Sequence, residues 1–250
     1  MGAIRLFVFI LTFSFISAFG WAESMYDRRL PDGRYVYNVL LDRGLPEEPL
    51  ALIFQLFDHN RGRIPNTDFA VLVDYSQIST EKRLHLLNLR NAEVESFHVS
   101  HGIRTGILEA RAFSNIPDSW KSSLGFFYAN GSYVSGKNGL SLYLYGIDRS
   151  NSNAKDRTIV LHGAPYVSED FILRYGRLGW SEGCFAVSHQ VVHQLVQILK
   201  RGSVLLSYHR ELMAAARNYP AEQSLSGYEV VPPGVYKKRT PGEGGGINLQ

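Results

Sequence analysis

A chain of 250 residues with 45% hydrophobic and 12% aromatic residues can bury the core of one domain plus a small companion, and 20% charged residues excludes a wholly disordered chain. The formal net charge of +3 is mild, and no basic cluster is interleaved with aromatics, which argues against nucleic acid as a partner. A pI of 8.9 suits anionic surroundings without singling any out.

At the N-terminus, Arg5 precedes an apolar run from Leu6 to Ala18, and Gly20 and Ala22 put small residues at the spacing of a cleavage site. Residues 1–22 read as a secretory signal peptide, too short and too lightly flanked for a membrane span. The alternative is an uncleaved anchor. The expectation is an exported protein, periplasmic or secreted, with no stable membrane span after cleavage. Exported proteins usually pair their cysteines or lack them. This chain has one, Cys184, so its thiol is a candidate for reactivity or for an intermolecular bridge; a small buried hydrophobe is the bland reading.

Residues 23–45 are polar, with turn signals at Pro31-Asp32-Gly33 and Gly44. Pro46 to Asp58 carries Leu50, Ile53, Phe54, Leu56 and Phe57 on one helical face. Residues 23–66 are therefore expected to be a helical lead-in. The period then changes. Phe69 to Tyr75, Arg83 to Leu89 and Val94 to His98 read as strands. Gly125 to Tyr128 and Tyr133-Val134 bracket Asn130-Gly131, a hairpin signal. Leu140 to Gly146 and Thr158 to Leu161 read as further strands, and Ala164 to Gly179 as a loop. Gln190 to Lys200 is an amphipathic helix stopped by Gly202, and Ser203 to Tyr208 is a closing strand. The expectation is a mostly β domain over 67–210, with one late helix, followed by a partly flexible C-terminal extension over 211–250 rich in Pro and Gly.

The chemistry concentrates in Trp180-Ser181-Glu182-Gly183-Cys184-Phe185-Ala186. A free thiol is only a few per cent thiolate at neutral pH, so a catalytic cysteine needs a base. His162-Gly163 lies twenty-two residues upstream at the end of a strand, close enough for the intervening loop to bring the imidazole to the thiol as an ion-pair partner. Gly183 frees the backbone before Cys184 for a turn that exposes amide donors. Such amides can serve as an oxyanion hole, typically worth about 3 kcal/mol per donor.

His before Ser-x-Gly-Cys, with the cysteine ahead of the helix, resembles the L,D-transpeptidases of the YkuD type. Ser122-Ser123-Leu124-Gly125, Gly136-Lys137-Asn138-Gly139, Gly146, Asn153-Ala154, Arg157 and His162-Gly163-Ala164-Pro165-Tyr166-Val167 resemble the subgroup of murein L,D-transpeptidase catalytic domains, over roughly residues 50–209. The resemblance implies an L,D-transpeptidase-like β-sandwich or barrel. It makes Cys184 the nucleophile, His162 the base and Gly163 the residue whose carbonyl orients the imidazole. Ser181 would support the loop or touch substrate, the amides of Gly183 and Cys184 would face the oxyanion, and Trp180 and Glu182 would flank them. Peptidoglycan stem peptides are the implied partner, carbapenems the implied covalent inhibitors, and no metal or organic cofactor is implied. Trp180 and Phe185 depart from the Arg and Pro that the subgroup favours, and Ala186 from the Arg found there in many members. These departures leave open a non-catalytic wall-binding protein of the same fold.

Several residues have competing readings. Ser122, Ser123, Tyr143 and Arg104 are candidates for the substrate cleft, with packing the alternative. His101 before Gly102 reads as structural at least as well as catalytic. His189 and His193 are four apart on a helix but lack the glutamate of a zinc-protease helix and a third ligand, so a solvated face is preferred and no metal site is expected. His59, His85, His98 and His209 carry no signal.

Overall fold

The computed structural model describes residues 23–216; the expected signal peptide over 1–22 and the C-terminal extension beyond Ala216 lie outside them. Eight strands form one mixed sheet: β1 Phe69–Asp74, β2 Leu84–Asn88, β3 Glu93–Phe97, β4 Gly125–Ser135, β5 Gly139–Gly146, β6 Val160–Gly163, β7 Phe185–Val187 and β8 Arg201–Tyr208. Their order is β3-β2-β1-β8-β4-β5-β6-β7. The β1–β8 and β6–β7 pairs are parallel and the rest antiparallel. The central strands β1 and β8 bury nearly every residue on both faces, which is why their sequences run apolar without alternation. The sheet curls into an almost closed barrel. Tyr75 at the end of β1 stacks on Phe185 of β7 at 6.2 Å, and Phe127 of β4 meets Phe185 edge-on at 5.2 Å. Past β3, the Ser100 amide reaches the Ala186 carbonyl at 2.8 Å, joining the two ends of the strand order.

Helices α1 Val36–Asp42, α2 Glu47–His59 and α4 His189–Leu199 contribute buried side chains to the same core. Helix α2 packs on β1 and β8, and α4 on β5, β6 and β8. Helix α1 falls in a stretch whose composition reads as polar, yet Val36, Val39 and Leu40 stand at i, i+3 and i+4 and are all buried.

Three local readings are corrected. Asn130-Gly131 is no hairpin: β4 runs straight through it as a bulge, with Gly131 at φ +76° and its amide on the Lys200 carbonyl at 2.8 Å. Hydrogen bonds from β8 and β5 on both sides hold the strand through the turn signal, and the reversal comes at Gly136–Asn138 instead. The loop from Ala164 to Gly179 contains α3 Glu169–Tyr175, capped by the Ser168 hydroxyl and ended by Gly176 in the left-handed conformation. Helix α3 buries no residue, so it shows no apolar stripe for a periodicity reading to find. Gly202 does not stop α4, which ends at Leu199; it is the second residue of β8.

Candidate active site

Strand β6 runs Val160 to Gly163, two residues later than expected, so His162 stands within the strand. In the parallel register Leu161 opposes Phe185 and His162 opposes Ala186. Side chains alternate along a strand, so two environments result. Leu161 and Phe185 enter the main core. Ala186 instead joins a small second cluster with Ala164, Val167 and Leu178 on the opposite face. His162 and Cys184 share that second face and open into one cleft of about 470 Å³, lined also by Lys137, Tyr166, Trp180, Ser181, Glu182 and His189. Phe185 therefore does not narrow the cleft: it is fully buried between Tyr75 and Phe127.

Two glycines make this approach of elements feasible. A Cβ on Gly163 would sit 2.6 Å from His189 Nδ1 and 3.1 Å from His189 Cα, so α4 could not seat its first turn against β6. Gly183 adopts φ +117°, and a Cβ there would lie 2.8 Å from the Lys121 carbonyl oxygen. The turn into Cys184 is tied by Ser181, whose hydroxyl donates to the Cys184 carbonyl at 2.7 Å and accepts from the Gly183 amide at 3.2 Å. The Gly183 amide is thus engaged within the turn. The Cys184 amide has no partner among the described residues and is the donor available to an oxyanion. On the strand side, the Cys184 thiol donates to the Thr158 carbonyl at 3.6 Å, and Thr158 is held at φ +55°. A β-branched residue in that region is a strained backbone position, costing about 1–3 kcal/mol.

His162 Nδ1 lies 3.0 Å from the Gly163 carbonyl. A carbonyl can only accept, so Nδ1 carries the hydrogen and Nε2 keeps the lone pair of a base. Burial pushes the His162 pKa below its ordinary 6.5; the Gly163 carbonyl opposes that shift, and Lys137 and His189 reinforce it. Burial likewise raises the Cys184 pKa, as does Glu182, against the Val160 amide, Arg157 and Lys137, which lower it. Both shifts favour neutral forms, because desolvation penalises either charge. Desolvation thus works against the thiolate–imidazolium pair expected from the sequence, with Arg157 and Lys137 opposing it at the thiol and the Gly163 carbonyl opposing it at the imidazole. No hydrogen bond joins the two side chains in this structure; the thiol's bond goes to Thr158.

The other sequence candidates separate cleanly. Trp180 lines the cleft, donates Nε1–H to the Ile107 carbonyl at 3.0 Å and lies under the Arg177 guanidinium at 3.4 Å. Glu182 meets Lys137 Nζ at 3.0 Å, and with side-chain exposures of 63% and 73% the pair is worth only ~0–1 kcal/mol to the fold. Ser122, Ser123, Tyr143 and Arg104 are absent from the cleft lining. Ser122 is buried, its hydroxyl accepting from the Gly102 amide at 3.0 Å and its amide donating to Thr105 Oγ1 at 2.7 Å. Ser123 is buried too. Tyr143 stacks on Tyr133 at 4.5 Å, and the Arg104 guanidinium covers Trp120 at 4.9 Å. His101 is 1% exposed and fixed between Arg83 Nη2 at 2.8 Å and the Gly106 carbonyl at 3.0 Å. His193 is exposed, while His189, expected on a solvated face, also borders the cleft. Among the described residues no group of three potential ligands is placed to hold a metal.

Lys137, Tyr166 and His189 are cleft residues that sequence reasoning did not assign. Lys137 and Tyr166 lay inside motif stretches already singled out, but nothing local told which of those side chains face the thiol. Burial pushes the Tyr166 hydroxyl up to about 12, with Cys184 and Glu182 adding to it, so the phenol stays a proton donor at neutral pH.

A thiol, an imidazole with a free Nε2 and an unengaged amide around one cleft are the parts of cysteine-based acyl transfer. The family model for the L,D-transpeptidase catalytic domain matches residues 43–208, and the chain belongs to that family. No curated protein matches. Among solved structures, an L,D-transpeptidase from Mycobacterium smegmatis is 11% identical, covering 56% of this chain and 58% of its own, with a TM-score of 0.34. The helical cell-shape-determining protein Pgp2 from Campylobacter jejuni is 15% identical, covering 63% and 54%, with a TM-score of 0.40. An L,D-transpeptidase from Stackebrandtia nassauensis is 15% identical, covering 66% and 68%, with a TM-score of 0.35. The chain spans less than two thirds of the length of the first two. Among the described residues no helix is long and apolar enough to cross a membrane.

Proposed function

We propose that this protein is exported and transfers acyl groups on the peptide stems of peptidoglycan, with Cys184 as nucleophile and His162 as base. The observation that carries the reading is the shared face of β6 and β7, which opens His162 and Cys184 into one cleft in a chain of the L,D-transpeptidase family. His162 Nε2 takes the thiol proton as sulfur attacks the carbonyl of the L-centre of diaminopimelate in a tetrapeptide stem. The Cys184 amide, with Tyr166 as a second donor at the cleft, meets the developing oxyanion. Collapse breaks the amide bond, and the imidazolium returns its proton to the departing D-alanine amine. The thioester is then attacked by an amine whose proton passes to His162, and the thiol is regenerated. A second stem as acceptor gives a 3–3 crosslink, a free D-amino acid gives exchange, a protein lysine gives anchoring, and water gives carboxypeptidation.

The test is mass analysis of stem peptides after incubation with purified peptidoglycan, alongside carbapenem labelling. The expected result is thiol-dependent loss of D-alanine and one carbapenem adduct on Cys184, both absent from Cys184→Ser. Intact stems with the wild type, or labelling elsewhere, would refute the assignment and favour a non-catalytic wall-binding role.

A further inference from the structure

The cleft holds one full cation and one full anion among its described lining residues, Lys137 and Glu182, and they face each other. They come from unrelated parts of the chain, 45 positions apart. Lys137 rides on the turn between β4 and β5, and Glu182 stands two residues before Cys184. Neither has another ion-pair partner among the described residues. Both are largely exposed, so water screens their attraction and the pair opens readily. Both side chains line the same cleft as Cys184 and His162, and Glu182 is two residues from Cys184 in the chain.

An open ion pair of this kind is matched by a ligand that carries both charges on one carbon, its carboxylate toward the lysine and its ammonium toward the glutamate. The far end of the diaminopimelate side chain is such a group. L-Lysine in the same stem position keeps the chain length and the ammonium and lacks the carboxylate. We infer that the Lys137–Glu182 pair receives the zwitterionic α-amino acid end of diaminopimelate and selects diaminopimelate stems over lysine stems. The inference rests on the acyl-transfer reading above. It assigns specificity to two side chains that meet at the cleft, and it leaves the attacking and proton-transfer groups as they are.

The experiment measures kcat/KM for D-alanine release from synthetic tetrapeptide stems bearing either meso-diaminopimelate or L-lysine, with carbapenem adduct mass monitoring the thiol. Wild type is expected to prefer the diaminopimelate stem by about tenfold or more, the usual scale for one charge-assisted hydrogen bond. Lys137→Gln should bring the ratio to within about twofold, and Lys137→Arg should retain it. Glu182→Gln should lower both rates, because both stems carry the ammonium. Equal wild-type rates on the two stems, or a ratio unchanged in Lys137→Gln, would overturn this inference alone. No D-alanine released from either stem by wild type would overturn the acyl-transfer reading and this one with it.

Discussion

His101 offers a quantitative test of how the loop that carries Cys184 is held. Its ring accepts from Arg83 and donates to the Gly106 carbonyl, an arrangement open only to neutral imidazole, and its own carbonyl accepts from the Ser181 amide at 3.0 Å. Burial, then Arg83, then Arg177 push its pKa down to about 4, with the Gly106 carbonyl opposing. A neutral-favouring site of this kind stabilises the fold fully above the unfolded value near 6.5 and loses that contribution as pH falls through the folded value. A fall from 6.5 to about 4, at about 1.4 kcal/mol per pH unit, makes the contribution ~3 kcal/mol, and with the ring 1% exposed no solvent discount applies. Urea unfolding at closely spaced pH values between 7 and 4 (about neutral to the folded pKa) should show this loss in the wild type. His101→Asn should be less stable at neutral pH, since it forfeits at least one buried hydrogen bond, but should lack that component of the pH slope. Subtracting the two curves removes carboxylates and the other histidines. Parallel curves over the window would refute the assignment of His101 as a buried neutral support.

Three further outcomes follow from the same geometry. The acid limb of the kcat/KM profile should lie below the ordinary 6.5, because burial, Lys137 and His189 hold His162 down, and His189→Ala should move it upward; a wild-type limb above 6.5 would contradict this. Phe185→Ala should cost about 3–5 kcal/mol in denaturant unfolding, whereas Trp180→Ala, at the cleft surface, should cost ~1 kcal/mol or less; the reverse order would place Phe185 wrongly. Gly163→Ala should cost ~1–3 kcal/mol and slow carbapenem acylation, since its Cβ collides with the first turn of α4; wild-type stability and acylation would show that α4 yields freely.

Much of the architecture was legible because burial on one or both faces writes itself into hydrophobic period. Helix α2 and strands β1, β2, β3, β5 and β8 were legible from that period to within a few residues. Where burial leaves no period, the reading failed: α3 buries nothing, and β7 is three residues long. At Asn130-Gly131 a genuine turn preference lost to hydrogen bonds from two neighbouring strands. Cys184 and His162 stood out for chemical reasons that need no fold, a solitary thiol in a chain read as exported and an imidazole ahead of a Gly-Cys turn. The remaining candidates could not be sorted in that way. Ser122 and Ser181 are alike as letters, yet one fastens buried backbone and the other ties the turn beside the thiol. Lys137, Tyr166 and His189 reach the cleft from a hairpin turn, a loop and a helix start, each aligned by the curl of the sheet. The direction of each pKa shift was likewise decided by tertiary structure: residue identity supplies an ordinary pKa, and the desolvation that moves Cys184 up and His162 down exists only once the strands close around them.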